Sequence, residues 1–431
     1  MSDPPAESPD ARCSPLAVLG PGLVTGASDD DPSGIATYAQ AGALFGFGLT
    51  WTLLLTYPLM SAVQTISARI GRTTGLGIAA NLRRRYPGPL VHGLIALVIT
   101  ANVINLGADL GAMAEATTLL GVTMPRWVAV AFFAVVCLGA QIFCNYARYV
   151  AVLKWLTLSL LFYLAALAAV EVDWGGLARS FVLPHVELSI SFLTMVVGVL
   201  GTTISPYLFF WQATLEAEQT REDPKLEPLR RAPWEAASAL GRIKVDTLVG
   251  MAFSNLVALA IMVTTAATLH AGGITKIDTA AQAAEALRPI AGQFAFVVFA
   301  AGIIGTGFLS VPVLASSAAY ALGETRDWPV GVSKKVAQAK RFYATIAAAT
   351  VVGALVNVLP VAPMQALVWA AVLNGIVAVP VMTMLMALAT SRRVMGRFRI
   401  STPLAVGGWA ATVVMGAASI GLLLSTLGVV I

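Results

Sequence analysis

Residues 26–35, GASDDDPSGI, place three consecutive carboxylates, Asp29, Asp30 and Asp31, directly before Pro32. The surrounding run from about residue 16 to 47 is otherwise apolar. A charge at mid-membrane is costly unless it faces protein, water or an ion. Pro32 lacks an N–H and its ring clashes one turn back, so a helix should break here. A broken helix exposes main-chain carbonyls and helix ends, both of which can handle an ion. Asp31 is therefore the first candidate metal ligand. Asp30 could add a second carboxylate, directly or through water, or could be solvated or cap a helix. An extramembrane loop over Asp29 to Asp31 is the alternative reading of the stretch. A second break is expected in GTTISPY, residues 201–207, where Ser205 precedes Pro206. Ser205 offers a hydroxyl oxygen, which suits a hard cation better than a soft one. It could equally hydrogen-bond to its own helix.

The elements that must position these residues are membrane helices. The 431-residue chain is 58% hydrophobic and 11% charged, against roughly 25% charge in a soluble domain. This excludes an ordinary soluble fold and predicts an all-α polytopic membrane protein in the lipid bilayer of a cell inner membrane or plasma membrane. Eleven spans are expected, at about 16–42, 44–68, 91–120, 127–145, 151–170, 189–214, 245–268, 291–322, 343–360, 365–389 and 406–430. Residues 1–15 read as a disordered tail, with no basic region before an apolar core and hence no signal peptide. Of the 27 Lys and Arg residues, Arg126, Arg179, Lys276 and Arg288 fall outside if the N-terminus is cytoplasmic, leaving 23 inside. That asymmetry favours a cytoplasmic N-terminus. The net charge of +5 reflects loop sidedness and not a nucleic-acid partner. The segment from Glu216 to Lys244 reads as a solvated cytoplasmic connector.

The breaks at Asp31-Pro32 and Ser205-Pro206 lie five spans apart. An odd offset inverts the second half relative to the first, which is the mark of inverted-repeat secondary transporters. The repeats are expected over 16–170 and 189–389, with 406–430 as an eleventh helix. Span 3 carries Asn105 and Asp109, four apart and so on one face, with Glu115 on another. Asp109 could tune a cavity or accept a proton. Asn374 in span 10 could line the cavity, as could Gln64 and Asn255. Cys13, Cys137 and Cys144 form no metal pair, and His92, His185 and His270 form no zinc site. No enzyme constellation is present: there is no phosphate-cradling loop and no HExxH.

These residues resemble a known family. Gly20 to Val24, Asp31-Pro32, Ile35 to Thr37 and Gln40 to Gly46 resemble the first span of the Nramp divalent-metal transporters. Gly201 to Tyr207 resembles their sixth span, and Asp246, Thr247 and Asn255 their seventh. The resemblance implies a LeuT-type 5+5 inverted repeat with helices 1 and 6 broken, and a metal bound where they unwind. It also implies a backbone ligand at the carbonyl of Thr202. The chain departs from the family at several positions. Ser33 and Gly34 follow Pro32 where the family has Gly-Asn. Ser205 and Tyr207 flank Pro206 where it has Met and His. Ala112 stands where a Glu follows Asp109. These departures resemble the Nramp-related magnesium transporter branch. They lead to the expectation of a monomer that imports Mg2+, and also Mn2+, by alternating access without tight proton coupling or any cofactor. A proton-coupled manganese or iron transporter is the first alternative. A divalent-cation channel and a metal-binding receptor are the others.

Overall fold

The computed structural model describes residues 25–26, 28–143, 161–184, 186–187 and 189–428. The expected tail over 1–15, the start of span 1, the first half of span 5, and Cys13, Cys144 and His185 lie outside the described residues. We number the helices of eight residues or more in chain order: α1 Pro32–Phe45, α2 Thr50–Thr74, α3 Ile78–Arg85, α4 Gly88–Leu119, α5 Arg126–Phe143, α6 Leu161–Ala169 and α7 Trp174–Val182. There follow α8 Ile190–Thr203, α9 Pro206–Glu222, α10 Ala236–Thr265, α11 Ala295–Arg326, α12 Lys340–Val356, α13 Pro363–Thr390 and α14 Thr402–Thr426.

Among the described residues, eight helical stretches are long and apolar enough to cross a membrane. One of them, Pro32–Thr74, has 43 residues. At 1.5 Å per residue that is about twice the bilayer's apolar thickness. It holds expected spans 1 and 2, divided at Gly46, whose φ of 55° ends α1. Span 9 falls on α12, which has 17 residues and is one short of the length applied to the others. Helices α6 and α7 are bent by 116° to one another, so α7 does not continue the fifth span.

Helices α4 and α11 share the most extensive contact, and α1 lies against α8, α10 and α13. Small residues permit the closest approaches. Gly201 on α8 faces the Ala371 carbonyl and Gly375 on α13, and a Cβ at Gly375 would lie 2.7 Å from the Val197 carbonyl oxygen. Small-residue stripes of this kind let helix backbones meet where no water drives them together. The large side chains Trp211, Tyr38, Tyr207 and Tyr320 are fully buried. Apolar residues of the periphery, such as Phe132, Val135, Val413 and Ile420, are exposed and form a lipid-compatible surface.

The segment from Glu216 onward differs from the solvated connector expected. Helix α9 continues through it to Glu222, and Glu216 and Glu218 are buried at 1% and 6% exposure. The reason is pairing. Glu216 meets Arg242 at 2.7 Å, and Glu218 accepts from Tyr320 and from Ser333 Oγ at 2.7 Å. Arg72 on α2 is also buried and pairs with Glu235. A mixed-sign run can thus be interior when each charge has a partner.

Candidate functional site

The first break begins with the backbone. Residues 28–29 are helical, Asp30 bends, and Asp31 is extended with φ −72° and ψ 169°. Pro32 then opens α1 with a φ that suits a first helical turn. Asp31 is the N-cap: its Oδ1 accepts from Gly34 N at 2.7 Å and from Ser33 Oγ at 2.7 Å. Its other oxygen, Oδ2, accepts from Asn105 Nδ2 at 3.0 Å, and Tyr207 Oη lies 3.4 Å from it. The carboxylate is only 2% exposed.

The second break is at Ile204, with φ −122° and ψ 60°, and Ser205, with φ −82° and ψ 135°. Pro206 opens α9. The two breaks lie together. Tyr207 donates to the Ser28 carbonyl at 3.1 Å, and a Cβ at Gly34 would sit 3.0 Å from Thr202 Oγ1. Ser205 Oγ is 2.8 Å from both the Gly201 and the Thr202 carbonyl oxygens. Its single hydrogen therefore serves the backbone, and its lone pairs remain as acceptors.

Asn105 joins this centre to two further helices. Its Oδ1 accepts from Asn374 Nδ2 of α13 at 2.9 Å, and its Nδ2 is 3.4 Å from Asp109 Oδ2. Asp109 Oδ2 also accepts from Ser310 of α11 at 2.7 Å. Five elements thus converge on one buried polar network: the pre-α1 segment, α4, α9, α11 and α13. The sequence reading missed Ser310 and Ser28. A lone serine in an apolar helix and a backbone carbonyl carry no signal of their own.

Asp30 is not part of this network. It and Asp29 turn to α10, where Ser254 Oγ lies 2.6 Å from Asp29 Oδ2 and 3.2 Å from Asp30 Oδ1. Asp29, Asp30 and Ser254 are at most 1% exposed. Of the other residues the sequence singled out, Asn255 accepts from Thr56 at 3.4 Å and Gln64 is buried with neither amide atom bonded. Glu115 Oε1 accepts from Ala280 N at 2.8 Å, and His270 Nδ1 lies 2.8 Å from the Ala43 carbonyl oxygen. No group of three or more His, Cys, Asp or Glu residues is placed to hold a metal among the described residues.

Near the C-terminal end of α1 is a cavity of about 550 Å3, lined in part by Gln40, Lys276, Met364, Gln365 and Trp369. Gln40 holds its roof by donating to the Thr275 carbonyl at 3.1 Å and accepting from Ile277 N at 2.9 Å. Asp278 in that roof takes hydrogen bonds from Lys276 and Gln365, which hold its carboxyl below the usual range. Asp31 does not line this cavity.

Two adjacent helix breaks around one buried carboxylate define a multi-pass membrane protein built on a transporter scaffold, not an enzyme. The chain belongs to the Nramp family: the family model described as natural resistance-associated macrophage protein-like matches residues 22–425. The divalent metal cation transporter MntH of Aeromonas hydrophila is 30% identical over 312 residues, covering 70% of this chain and 72% of that protein. MntH of Yersinia pestis strain Pestoides F is 29% identical over 310 residues, covering 69% and 70%. A solved manganese transporter of Eremococcus coleocola superposes with a TM-score of 0.73 at 17% identity, covering 97% of this chain and 88% of that one. MhsT, solved with L-phenylalanine, superposes with a TM-score of 0.58 at 12% identity, covering 97% and 99%. The fold is accordingly the all-α 5+5 arrangement with broken helices.

The expected magnesium branch is overturned. The matching curated relatives are MntH divalent metal cation transporters, and the expectation of Mg2+ import without tight proton coupling falls with it. The geometry shows why the departures misled. Gly34 lacks the family's Asn ligand, and Ser205 offers a hydroxyl where the family has a thioether. In the structure Gly34 binds Asp31 through its backbone N–H, and Ser205 binds its own helix through its hydroxyl. The loss of Asn and Met at these two positions therefore does not by itself specify magnesium, since hard oxygen ligands suit Mn2+ as well.

Proposed function

We propose that the protein is a proton-coupled importer of divalent metal cations whose substrate is Mn2+. The observation that carries this reading is Asp31: a buried carboxylate at a helix break, held by Ser33, Gly34 and Asn105, with Tyr207 of the second break beside it. Its likeness to the MntH transporters supports the substrate class.

The ion is held by Asp31, the Thr202 carbonyl and the Ser205 hydroxyl, with waters completing the shell. Hard oxygen donors suit Mn2+. Asn105, Tyr207 and Ser33 orient the carboxylate, and such outer partners are worth about 10–100-fold in metal affinity. Gly34 and Pro206 shape the two breaks, and Asn374 holds Asn105. Asp109, one residue away through Asn105, takes the proton that moves with the metal. Repeats over 16–170 and 189–389 rock against each other, the N-terminus is cytoplasmic, and one chain suffices. The test is Mn2+ uptake into proteoliposomes by the wild type and by Asp31→Ala. Uptake is expected in the wild type and nearly none in the variant. Wild-type kinetics in Asp31→Ala would sink the site.

A further inference from the structure

We propose that Asp29, Asp30 and Ser254 form a second divalent-cation site, separate from that of Asp31 and on the α10 side of the first break.

The argument starts from a shortage of hydrogens. Ser254 Oγ lies within hydrogen-bond distance of Asp29 Oδ2, at 2.6 Å, and of Asp30 Oδ1, at 3.2 Å. A hydroxyl carries one hydrogen and can donate it to one of them. The remaining oxygens, Asp29 Oδ1 and Asp30 Oδ2, are buried and have no hydrogen-bond partner at all. Two carboxylates at 0% exposure therefore share a single donor. Asp31, their neighbour in sequence, has three donors of its own, Ser33, Gly34 and Asn105, and a share of the Tyr207 hydroxyl. Buried charges are ordinarily paired or bound to metal. No lysine, arginine or histidine pairs with either carboxylate among the described residues.

Packing fixes the position of this group. Gly26 lies directly on the backbone of Gly250, a contact that no side chain would permit. That brings the pre-α1 segment onto α10. Ser254, one turn beyond Gly250, then faces the two carboxylates. The partners of Asp31 lie on α4 and α9, so the carboxylates of Asp30 and Asp31 diverge to opposite sides of the chain.

The ligand chemistry follows from the donors. Two carboxylates and a hydroxyl are hard oxygen ligands, and they select hard divalent cations. A divalent ion neutralises both charges, whereas a monovalent ion would leave one. The inference rests on the reading of the protein as a divalent-cation carrier. In that reading the second site receives the ion as it leaves Asp31.

The test is equilibrium binding of radioactive Mn2+ to the purified full-length protein in detergent, at saturating metal. The wild type is expected to bind two ions per chain. Asp31→Ala is expected to retain one, and the double variant Asp29→Asn with Asp30→Asn is expected to retain one. Ser254→Ala should weaken the second ion about tenfold, since removing a supporting ligand typically costs 10–100-fold. One ion per chain in the wild type, no ion in Asp31→Ala, or two ions in the double variant would each overturn the proposal. If the double variant does not fold, as judged by its melting transition, the wild-type and Asp31→Ala stoichiometries decide alone. A single Asp31-dependent ion with uptake intact removes only the second site. Two bound ions with no uptake in liposomes removes the transport reading instead.

Discussion

At the scale of single residues, the arrangement around Asp31 separates binding from orientation. Asn105 touches Asp31, Asp109 and Asn374. Asn105→Ala should leave the Asp31 oxygens in place but free them to rotate. We expect Mn2+ affinity to fall about 10–100-fold, read as a raised half-saturation concentration for uptake with the maximal rate less affected. An unchanged half-saturation would remove Asn105 from the site. Ser205→Met should add a soft thioether at the second break, and softer metals gain more from it than hard ones. Competition between Cd2+ and Mn2+ in the same liposomes should shift toward Cd2+. A constant ratio with uptake intact would show that the side chain at 205 faces its own helix only, as its hydrogen bonds do here. The sequence made Asp31 legible because a carboxylate before a proline in an apolar run has few other uses. It did not reveal where Asp30 points, because a one-residue step past a bend reverses the side chain, and only tertiary packing sets the bend.

At the scale of elements, both breaks were visible from Pro32 and Pro206, each directly after a polar residue, whereas Pro58, Pro312 and Pro380 sit inside continuous helices, so a proline alone does not mark a break. The extent of α9 was not visible. Charge density marks a solvated segment only when the charges lack partners, and Glu216, Glu218 and Arg72 all find them across helices. Those pairs close one end of the bundle, while Gln40 and Gln365 hold the roof of the cavity at the C-terminal end of α1. Helix α8 reaches α13 at Gly201, where a methyl group would overlap the Ala371 carbonyl. Gly201→Ala should therefore destabilise the protein by about 1–3 kcal/mol, the usual cost of overpacking. A melting transition in detergent measures this. An unchanged transition would mean that α8 and α13 can separate freely, against the interlocked packing described above.

At the scale of the whole molecule, the site is enclosed from both faces, with Asp31 at 2% exposure. An ion reaches it only if the helix bundle moves, which distinguishes a carrier from an open pore. On the proposed function, the inverted placement of the two breaks lets the two halves move about the centre between them. The family match over 22–425 makes the chain an Nramp protein despite the departures at Ser205, Tyr207 and Ala112. Individual replacements alter ligands, whereas the buried carboxylates Asp31 and Asp109 are joined in one network through Asn105.

The most direct test uses proteoliposomes loaded with a pH dye and a metal indicator, with the potential clamped by potassium and valinomycin. Added Mn2+ is expected to enter and to acidify the lumen in proportion to the metal taken up, and both signals should vanish in Asp31→Ala. Mn2+ entry at an unchanged internal pH, or persistent uptake in the variant, would contradict the account.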